Sequence, residues 1–396
     1  MPDDKQPDGA RLKVVLAWHM HQPQYKDLAS GNYRLPWTYL HAIKDYTDMA
    51  AHLEAAPKAR VCVNFAPLLL EQIADYTAQV EGFLRDGSAI SDPLLAALGQ
   101  PVLPASYEER LMLIKSCLRA HEGRMIARFP AYQRLADLAA WAVSHPDVMS
   151  YLRDQYLVDL LVWYHLAWLG ETVRRTDVSI RRLIDKQGGY TLNDRRELLD
   201  VIGGLLAGVI PRYARLADAG QVELSVTPYA HPIVPLLIDV ASARDAMPQA
   251  TLPMVAYPGG EERARWHVRE GLATFERHFG FRPVGCWPSE GGVSSAALKL
   301  LADEGIRWAA TGEAVLANSL AHSDAPPTEQ KENWLYQPHT APQTDMRVFF
   351  RDDGLSDLIG FAYAGWHADD AVADLIAHLV RIADACRERP NAVVSI

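Results

Sequence analysis

The segment QVELSVTPYAHP, residues 221–232, joins a strand pattern to a rigid turn and indicates how the chain folds. Its first half, VELSV, is a short, largely apolar run, and such runs are typical of strands covered on both faces. Its second half places an aromatic ring and an imidazole, Tyr229 and His231, among prolines directly after the strand. We interpret this second half as one wall of a pocket, and we expect the other walls to follow similar strands.

Six further runs share this continuous apolar character, and turn residues bound each of them. Helical patterns lie between them, including EERARWHVREGLATFERHF (261–279) and ADDAVADLIAHLVRIADACRE (368–388). This alternation predicts an α/β fold with a parallel sheet, either a barrel or a doubly wound sheet. The seven predicted strands are LKVVLAW (12–18), ARVCVNF (59–65), QVELSV (221–226), PVGCW (283–287), IRWAAT (306–311), MRVFF (346–350) and NAVVSI (391–396).

Residues from about 70 to 218 break this alternation, because their apolar positions recur at helical spacing almost throughout. We therefore predict a large helical insertion between the second and third strands.

Composition and charge exclude several classes of protein. The 396 residues are 49% hydrophobic and 22% charged, which is typical of a globular protein with a sizeable core. The net charge is −10 with acidic and basic residues interleaved, so we predict no nucleic-acid partner. No apolar run reaches the roughly 18 residues of a membrane span, and the polar start lacks the core of a secretory signal. We therefore predict no membrane partner and no secretion.

The four cysteines lie far apart and lack the C-x-x-C spacing of a zinc knuckle. This usage fits a reducing compartment, and we expect a cytoplasmic protein. The sequence leaves the oligomeric state open.

In parallel barrels the active site lies beyond the carboxyl ends of the strands. After the first predicted strand come His19 and His21, which are two residues apart and so lie on one side of an extended chain. Gln22 follows them, and Asn64 lies at the end of the second strand. The two histidines fit ligand recognition, metal binding or an ordinary structural pair, and Asn64 fits a ligand contact or a strand-end cap.

Two glutamates stand out at predicted strands. Glu223 lies between Val222 and Leu224, and a carboxylate buried there costs several kcal/mol unless it is paired. We expect it to be buried, with either a functional role or an internal salt bridge. Glu290 follows Trp287 on the tight turn PSEGG, where it fits catalysis or a place beside the cap of the next helix.

The segment RDDGLSD, residues 351–357, supplies Arg351 and three aspartates, and D-D-G is also a common surface turn. Glycoside cleavage normally needs two carboxylates that flank the scissile bond. Glu290 and Asp352 follow nearby strands, so we predict that they face each other across a barrel mouth. A separation of about 5–5.5 Å would imply retention of configuration, and about 6.5–9.5 Å would imply inversion.

Four ordered motifs together resemble glycoside hydrolase family 57, which includes amylopullulanases, α-amylases, 4-α-glucanotransferases and branching enzymes. HQP (21–23) and GQVEL (220–224) are similar to its first two motifs, and WPSEG (287–291) is similar to its third. FRDDGLSDLIGF (350–361) is similar to the fourth motif of amylopullulanase-type members. The resemblance implies a catalytic (β/α)7 barrel over residues 1–396, followed in the family by a C-terminal helical domain. We expect this chain to lack that domain, because it ends on a predicted strand.

The resemblance also implies a retaining mechanism on α-glucans or oligosaccharides, without a metal or other cofactor. Glu290 would be the nucleophile and Asp352 the acid/base, with Asp357 as the alternative; which of Asp352, Asp353 and Asp357 serves stays open. Hydrolysis or transfer, and preference for α-1,4 or α-1,6 bonds, also stay open. The residues expected to contact sugar are His19, His21, Gln22, Glu223, Tyr229, His231, Trp287, Arg351 and Asp357.

Two alternative hypotheses remain. One is a metal-dependent carbohydrate esterase or mannosidase-like enzyme on a related barrel, in which His19, His21 and an aspartate would bind zinc. The other is a non-catalytic glucan-binding protein.

Overall fold

A computed structural model describes residues 12–323, 328 and 330–396, and these form two compact units. The first comprises the described residues through His21 together with Arg60–Pro67 and Gly220–Ile396. The second comprises Gln22–Ala59 and Leu68–Ala219. The polar residues 1–11, on which the prediction of no secretory signal rests, lie outside the described residues.

The first unit is built on a sheet whose strands follow the spatial order β1-β9-β8-β6-β5-β4-β3-β2, with β7 added antiparallel to β8. Every other neighbouring pair is parallel. The strands are β1 Lys13–Val15, β2 Ala17–Met20, β3 Val61–Phe65, β4 Val222–Val226, β5 Gly285–Cys286, β6 Trp308–Gly312, β7 His339–Thr340, β8 Arg347–Arg351 and β9 Val393–Ser395.

The sheet closes on itself because β1 and β2 are two halves of one extended segment, interrupted at Leu16. β1 pairs with β9 and β2 pairs with β3. At the interruption the N–H of Cys62 donates to the carbonyl of Leu16, and the N–H of Ala17 donates to the carbonyl of Ile396, each at 2.9 Å. Counting β1 and β2 as one strand and setting β7 aside, the barrel has seven parallel strands, which confirms the predicted (β/α)7 fold.

All seven predicted strands are present, and the short β7 was not predicted. The helices predicted over 261–279 and 368–388 are also confirmed. The α-helices of this unit are Val234–Ile238, Ala243–Ala246, Gly260–Phe279, Ser295–Asp303, Glu313–Ala321, Asp353–Asp357 and Ala368–Ala385. Short 3-10 or π turns are Val240–Ser242, Ser289–Gly291, Lys331–Asn333, Leu358–Ala362 and Tyr363–Gly365.

One side of the barrel packs against helices through a buried apolar cluster, which we call the outer cluster. Phe350 of β8 packs against it from the sheet. Its members are Leu316, Leu335, Tyr336, Leu355, Ile382, Cys386, Ala392 and Val394.

The second unit is helical, with buried tyrosines such as Tyr39, Tyr76 and Tyr132 among its largest core side chains. It takes in Gln22–Ala59 as well as the segment after β3, so the helical part of the chain is larger than predicted. Its α-helices are Trp37–His41, Thr47–Ala55, Pro67–Asp86, Pro93–Gly99, Tyr107–Cys117, Pro130–Ser144, Asp154–Trp168, Glu171–Thr176, Val178–Lys186 and Leu192–Asp218. Short π or 3-10 segments are Ala42–Tyr46, Glu122–Ile126 and Pro146–Tyr151.

Among the described residues, no helix is long and apolar enough to cross a bilayer.

Candidate active site

A cavity of about 250 Å³ is bordered by the barrel strands and by the segments that follow them. Three of the predicted sugar-contact residues, His19, Trp287 and Arg351, border it. The remaining lining is largely apolar, and consists of Leu16, Ala17, Trp18, Cys62, Asn64, Ser225, Trp308, Ala310, Ser356, Ile359, Gly360, Ser395 and Ile396. An apolar cavity with few polar groups is the usual form of a small-ligand site.

Three histidines form a cluster beside this cavity: His19 on β2, His21 just after it, and His231 on the turn after β4, and His19 borders the cavity itself. The rings of His21 and His231 are stacked with their centroids 4.0 Å apart, and the ring of His19 lies 5.4 Å from each. Desolvation by surrounding protein lowers the pKa of His19 and of His21 to about 4, and it also lowers the pKa of His231. The side chain of His19 nevertheless keeps accessible surface, and it borders the cavity. Near neutral pH the three imidazoles are therefore uncharged.

Buried polar side chains on neighbouring strands hold His19 in place. His19, Asn64 and Ser225 occupy matching positions on β2, β3 and β4. The Nδ1 of His19 lies 2.7 Å from the amide oxygen of Asn64, and the amide nitrogen of Asn64 donates to the hydroxyl of Ser225 at 3.1 Å. Because an amide oxygen can only accept, Nδ1 carries the proton and Nε2 of His19 keeps its lone pair. Asn64 thus orients a histidine, a role that the sequence analysis did not predict.

Glu290 lies beside the histidine cluster on the turn Ser289–Gly291. Its carboxylate Oε1 is 3.1 Å from Nε2 of His231. The side chain of Glu290 is 69% exposed, whereas that of His231 is 10% exposed. The turn is anchored by the hydroxyl of Thr311, which donates to the carbonyl of Gly291. The next helix is capped by Ser294, whose hydroxyl accepts from the N–H of Ala297, so Glu290 is not part of that cap.

Trp287 contacts both His19 and Arg351. Its ring centroid is 6.2 Å from that of His19, and the guanidinium carbon of Arg351 lies 5.9 Å from the same centroid. Arg351 also donates from Nε to the Oδ1 of Asp353 at 2.8 Å. Contacts therefore run from His19 through Trp287 and Arg351 to Asp353.

Asp352 points away from this group, because successive residues of an extended strand alternate between the two faces of a sheet. Arg351 borders the cavity, whereas Phe350 and Asp352 contact the outer cluster. The Asp352 carboxylate is 2% exposed and accepts from the hydroxyl of Tyr336 at 2.6 Å and from the N–H of Leu355 at 2.9 Å. The ammonium of Lys331 lies 3.0 Å away.

Burial by itself would raise the pKa of Asp352, but the hydrogen bonds from Tyr336, Leu355 and Lys331 outweigh it and hold the pKa below its usual value. The carboxylate caps the helix Asp353–Asp357. This setting favours the anion, whereas a general acid needs a raised pKa. The expectation that Asp352 faces the barrel mouth opposite Glu290 is therefore not met.

Glu223 and Tyr229 also differ from expectation. The prediction that Glu223 is buried is wrong: Val222 and Leu224 are buried, whereas Glu223 is exposed and accepts from the indole N–H of Trp308 at 2.6 Å. The ring of Tyr229 packs edge-to-face against Trp266, with centroids 5.7 Å apart. Of the TPYAHP turn, His231 joins the cluster and Tyr229 packs on a helix.

Gln22 and Asp357 complete the predicted set. Gln22 belongs to the second unit, where its side-chain oxygen accepts from the hydroxyl of Tyr25 at 3.0 Å. Asp357 is exposed at the end of its short helix. Lys331 and Tyr336, which hold Asp352, were missed because neither lies at the end of a predicted strand.

The model of the family described as Glycosyl hydrolase family 57 matches residues 15–396. The chain is 27% identical over 145 residues to a 1,4-alpha-glucan branching enzyme from Thermococcus kodakarensis, which is 37% of this chain and 18% of that enzyme.

Solved structures with the same fold include a branching enzyme from Thermococcus kodakaraensis in complex with glucose and additives. It has a TM-score of 0.51 and 15% identity, and the match covers 97% of this chain and 63% of that one. An alpha-amylase from Thermotoga maritima matches with a TM-score of 0.46 and 12% identity, over 88% of this chain and 47% of that one. The chain thus spans less than two thirds of the length of each of these relatives.

Proposed function

The chain belongs to glycosyl hydrolase family 57, and on this premise we propose that it cleaves or transfers glucosidic bonds of α-glucans by a two-carboxylate, double-displacement mechanism. Starch, glycogen and maltooligosaccharides are the substrates that we propose. Glu290 is the proposed nucleophile, and α-1,4 and α-1,6 bonds are both candidate targets.

The observation that carries the proposal is the hydrogen bond of 3.1 Å between Glu290 and His231. A carboxylate can only accept, so Nε2 of His231 carries the proton of the neutral ring. Its buried Nδ1 has no hydrogen-bond partner among the described residues, which agrees with this tautomer. The donor orients one carboxylate oxygen, while the exposure of Glu290 leaves the carboxylate open to a sugar.

In the first step, an oxygen of Glu290 would attack the anomeric carbon while the bond to the leaving oxygen breaks. A second acid would donate its proton to that leaving oxygen. In the second step, water or an acceptor hydroxyl would attack the same carbon, the ester to Glu290 would break, and the second group would take up the proton.

For the proton donor we propose Asp353 in place of Asp352. Asp353 lies on the same side of the chain as Arg351, whose guanidinium reaches Trp287. Asp352 faces the outer cluster, on the opposite side of the strand from Trp287 and Glu290. Trp287 itself offers a flat apolar face of the kind that stacks on a pyranose ring.

Product analysis on maltooligosaccharides tests the proposal. We expect Glu290→Gln to lower turnover by at least about 10³-fold, because an amide is too weak a nucleophile to form the covalent glycosyl-enzyme. On an aryl maltooligosaccharide, whose leaving group departs without a proton, azide should restore turnover of Glu290→Ala with inverted glycosyl azide, and of Asp353→Ala with retained glycosyl azide. Asp369→Asn is the matched carboxylate control, because this aspartate is 94% exposed and has no proposed role in the site, and it should stay within about threefold of the wild type.

Longer products would assign transfer, and only shorter ones would assign hydrolysis. Full activity in Glu290→Gln would refute the nucleophile. A chain that binds glucan but never turns it over would support the binding-protein alternative instead.

We also propose a cytoplasmic location. All four cysteines, Cys62, Cys117, Cys286 and Cys386, are free and buried, which is the usual state in a reducing compartment.

A further inference from the structure

We propose that His19, His21 and His231, together with Glu290, form a binding site for a late first-row transition metal ion such as Zn²⁺, and that a bound ion blocks Glu290. The metal site stands on geometry alone. The blocking of catalysis rests on the function proposed above, and the experiments below separate the two.

The three imidazoles place their nitrogens close enough to share one ion. One ring nitrogen from each histidine can be chosen so that all lie within 4.8 Å of one another. Ligand atoms on a tetrahedral zinc ion, with bonds of about 2.0–2.1 Å, are about 3.3 Å apart. The widest pair must therefore close by about 1.5 Å, which side-chain rotation can supply. The stacked rings of His21 and His231 must tilt so that their lone pairs converge.

Glu290 supplies the fourth ligand. Its Oε1 lies 3.1 Å from Nε2 of His231, which is near the spacing of two ligands on one tetrahedral ion. With Zn²⁺ bound by Nε2 of His231 and Oε1 of Glu290, the proton of the neutral His231 ring would move from Nε2 to Nδ1. This Nδ1 is buried and has no hydrogen-bond partner in the described part of the chain. Three imidazoles and one carboxylate suit Zn²⁺, Co²⁺ or Ni²⁺ better than Mg²⁺ or Ca²⁺, which prefer oxygen ligands.

His19 already has the support that metal-ligating histidines usually have. Such a histidine typically donates its other ring N–H to a fixed acceptor, which sets the tautomer and the direction of the free lone pair. Asn64 is that acceptor for His19, at 2.7 Å, and Asn64 is in turn bonded to Ser225. Both of these partners are buried, at 4% and 1% exposure.

An ion bound here would occupy the carboxylate that the proposed mechanism uses as nucleophile. Metal and glucan would then compete, so Zn²⁺ would raise the apparent KM of the enzyme, and a chelator would restore the original value. This is opposite to a metal-dependent enzyme, in which chelation abolishes turnover.

The site is tested by titrating the metal-free protein with Co²⁺ and Zn²⁺, following visible absorption of four-coordinate Co²⁺ and the heat of Zn²⁺ binding. We expect one ion per chain. His21→Gln and His231→Gln should each weaken binding at least about 100-fold, and Glu290→Gln about 10-fold, with circular dichroism unchanged.

His378→Ala is the matched control. His378 is a partly exposed histidine 3.6 Å from Asp374 on one helix turn, a pair that could bind metal adventitiously. Binding should be unchanged in this variant. Loss of the ion in His378→Ala, equal binding in the His21 and His231 variants, or no one-to-one binding at all would overturn the site.

Activity separates the two proposals. An active glucan enzyme that binds no metal ion overturns the site and leaves the proposed function standing. A metal site that depends on His21 and His231 in a protein without turnover upholds the site and refutes the function. Turnover that chelation abolishes overturns the blocking role.

Discussion

Replacing Asp352 with asparagine is expected to cost stability rather than the proton donor. The carboxylate accepts from Tyr336 and Leu355 and pairs with Lys331, and it is 2% exposed. Asparagine has nearly the same shape, and its single acceptor oxygen can keep the bond to one donor. The amide N–H groups of the asparagine would then face the ammonium of Lys331, which is also a hydrogen-bond donor and has no acceptor atom.

The size of the loss follows from these contacts. Hydrogen bonds to a charged group contribute about 1.5–3 kcal/mol each, and a buried donor left unpaired costs a similar amount. Lys331 is 34% exposed, so water can replace part of what it loses. We therefore expect Asp352→Asn to lower the free energy of unfolding by about 2–3 kcal/mol at pH 7.

The pH dependence provides an independent check. The pKa of Asp352 lies below its ordinary value in the folded protein, so its contribution to stability is present above the unfolded pKa of about 3.9. It is lost as the pH falls below that value towards the folded pKa. The difference between wild type and Asp352→Asn should thus be largest near pH 7 and shrink as the pH falls to 4 and below.

Urea denaturation of both proteins over this pH range measures the effect, with turnover recorded on the same samples. Asp357→Asn is the control, because that aspartate is exposed and should change stability by less than about 0.5 kcal/mol. A loss of stability below about 0.5 kcal/mol in Asp352→Asn, together with a loss of turnover above about 10³-fold, would show that Asp352 is the acid/base after all.

Three further changes test other parts of the structure. His231→Ala should lower kcat on maltooligosaccharides about 10²-fold by releasing Glu290, with the melting temperature nearly unchanged; equal kcat would contradict the orienting role. Gly285→Ala should cost about 1–3 kcal/mol in urea denaturation, because the added Cβ would lie 2.1 Å from the indole of Trp308, and a neutral effect would mean that the ring moves freely. Burial raises the pKa of Asp92 to about 6, so the protonated carboxyl stabilises the folded protein by up to about 3 kcal/mol below about pH 4, and this stabilisation is lost as the pH rises through 6. Asp92→Asn should remove this pH dependence of the free energy of unfolding, and an NMR titration of the Asp92 carboxyl with a midpoint near pH 4 would refute the reasoning.

The barrel could be predicted because each of its strands is a short apolar run that needs cover on both faces. The segment VCVNF of β3 is buried at every position, VELSV of β4 at every position except Glu223, and VVS of β9 is largely buried as well. β7 could not be predicted, since two residues paired to an outer strand leave no periodic pattern. Gln22–Ala59 was not assigned to the helical unit because its helices are short and irregular.

For the candidate site, the positions of the strand ends in the sequence were enough to predict His21, His231 and Glu290 as site residues. These positions did not predict to which face of the sheet each side chain points. The alternation of successive strand residues between the two faces of a sheet does indicate this direction. Phe349 contacts Trp308, Arg351 borders the cavity, and Asp353 bonds to Arg351, all at alternate positions. Applied to the sequence, the same alternation would have directed Asp352 to the opposite face. Glu223 shows the complementary error, because a strand residue can face an open barrel interior without being buried.

The backbone of the two turns explains how His231 and Glu290 are brought together. Ala230, His231 and Glu290 all have φ near +56°, a conformation that costs a residue other than glycine about 1–3 kcal/mol. Such a cost persists only where surrounding contacts require it. Here the hydroxyl of Thr227, before the first turn, donates to the carbonyl of Trp287, before the second, and the side chains meet at 3.1 Å. The two strained turns therefore hold each other, and the carboxylate is oriented before any ligand arrives.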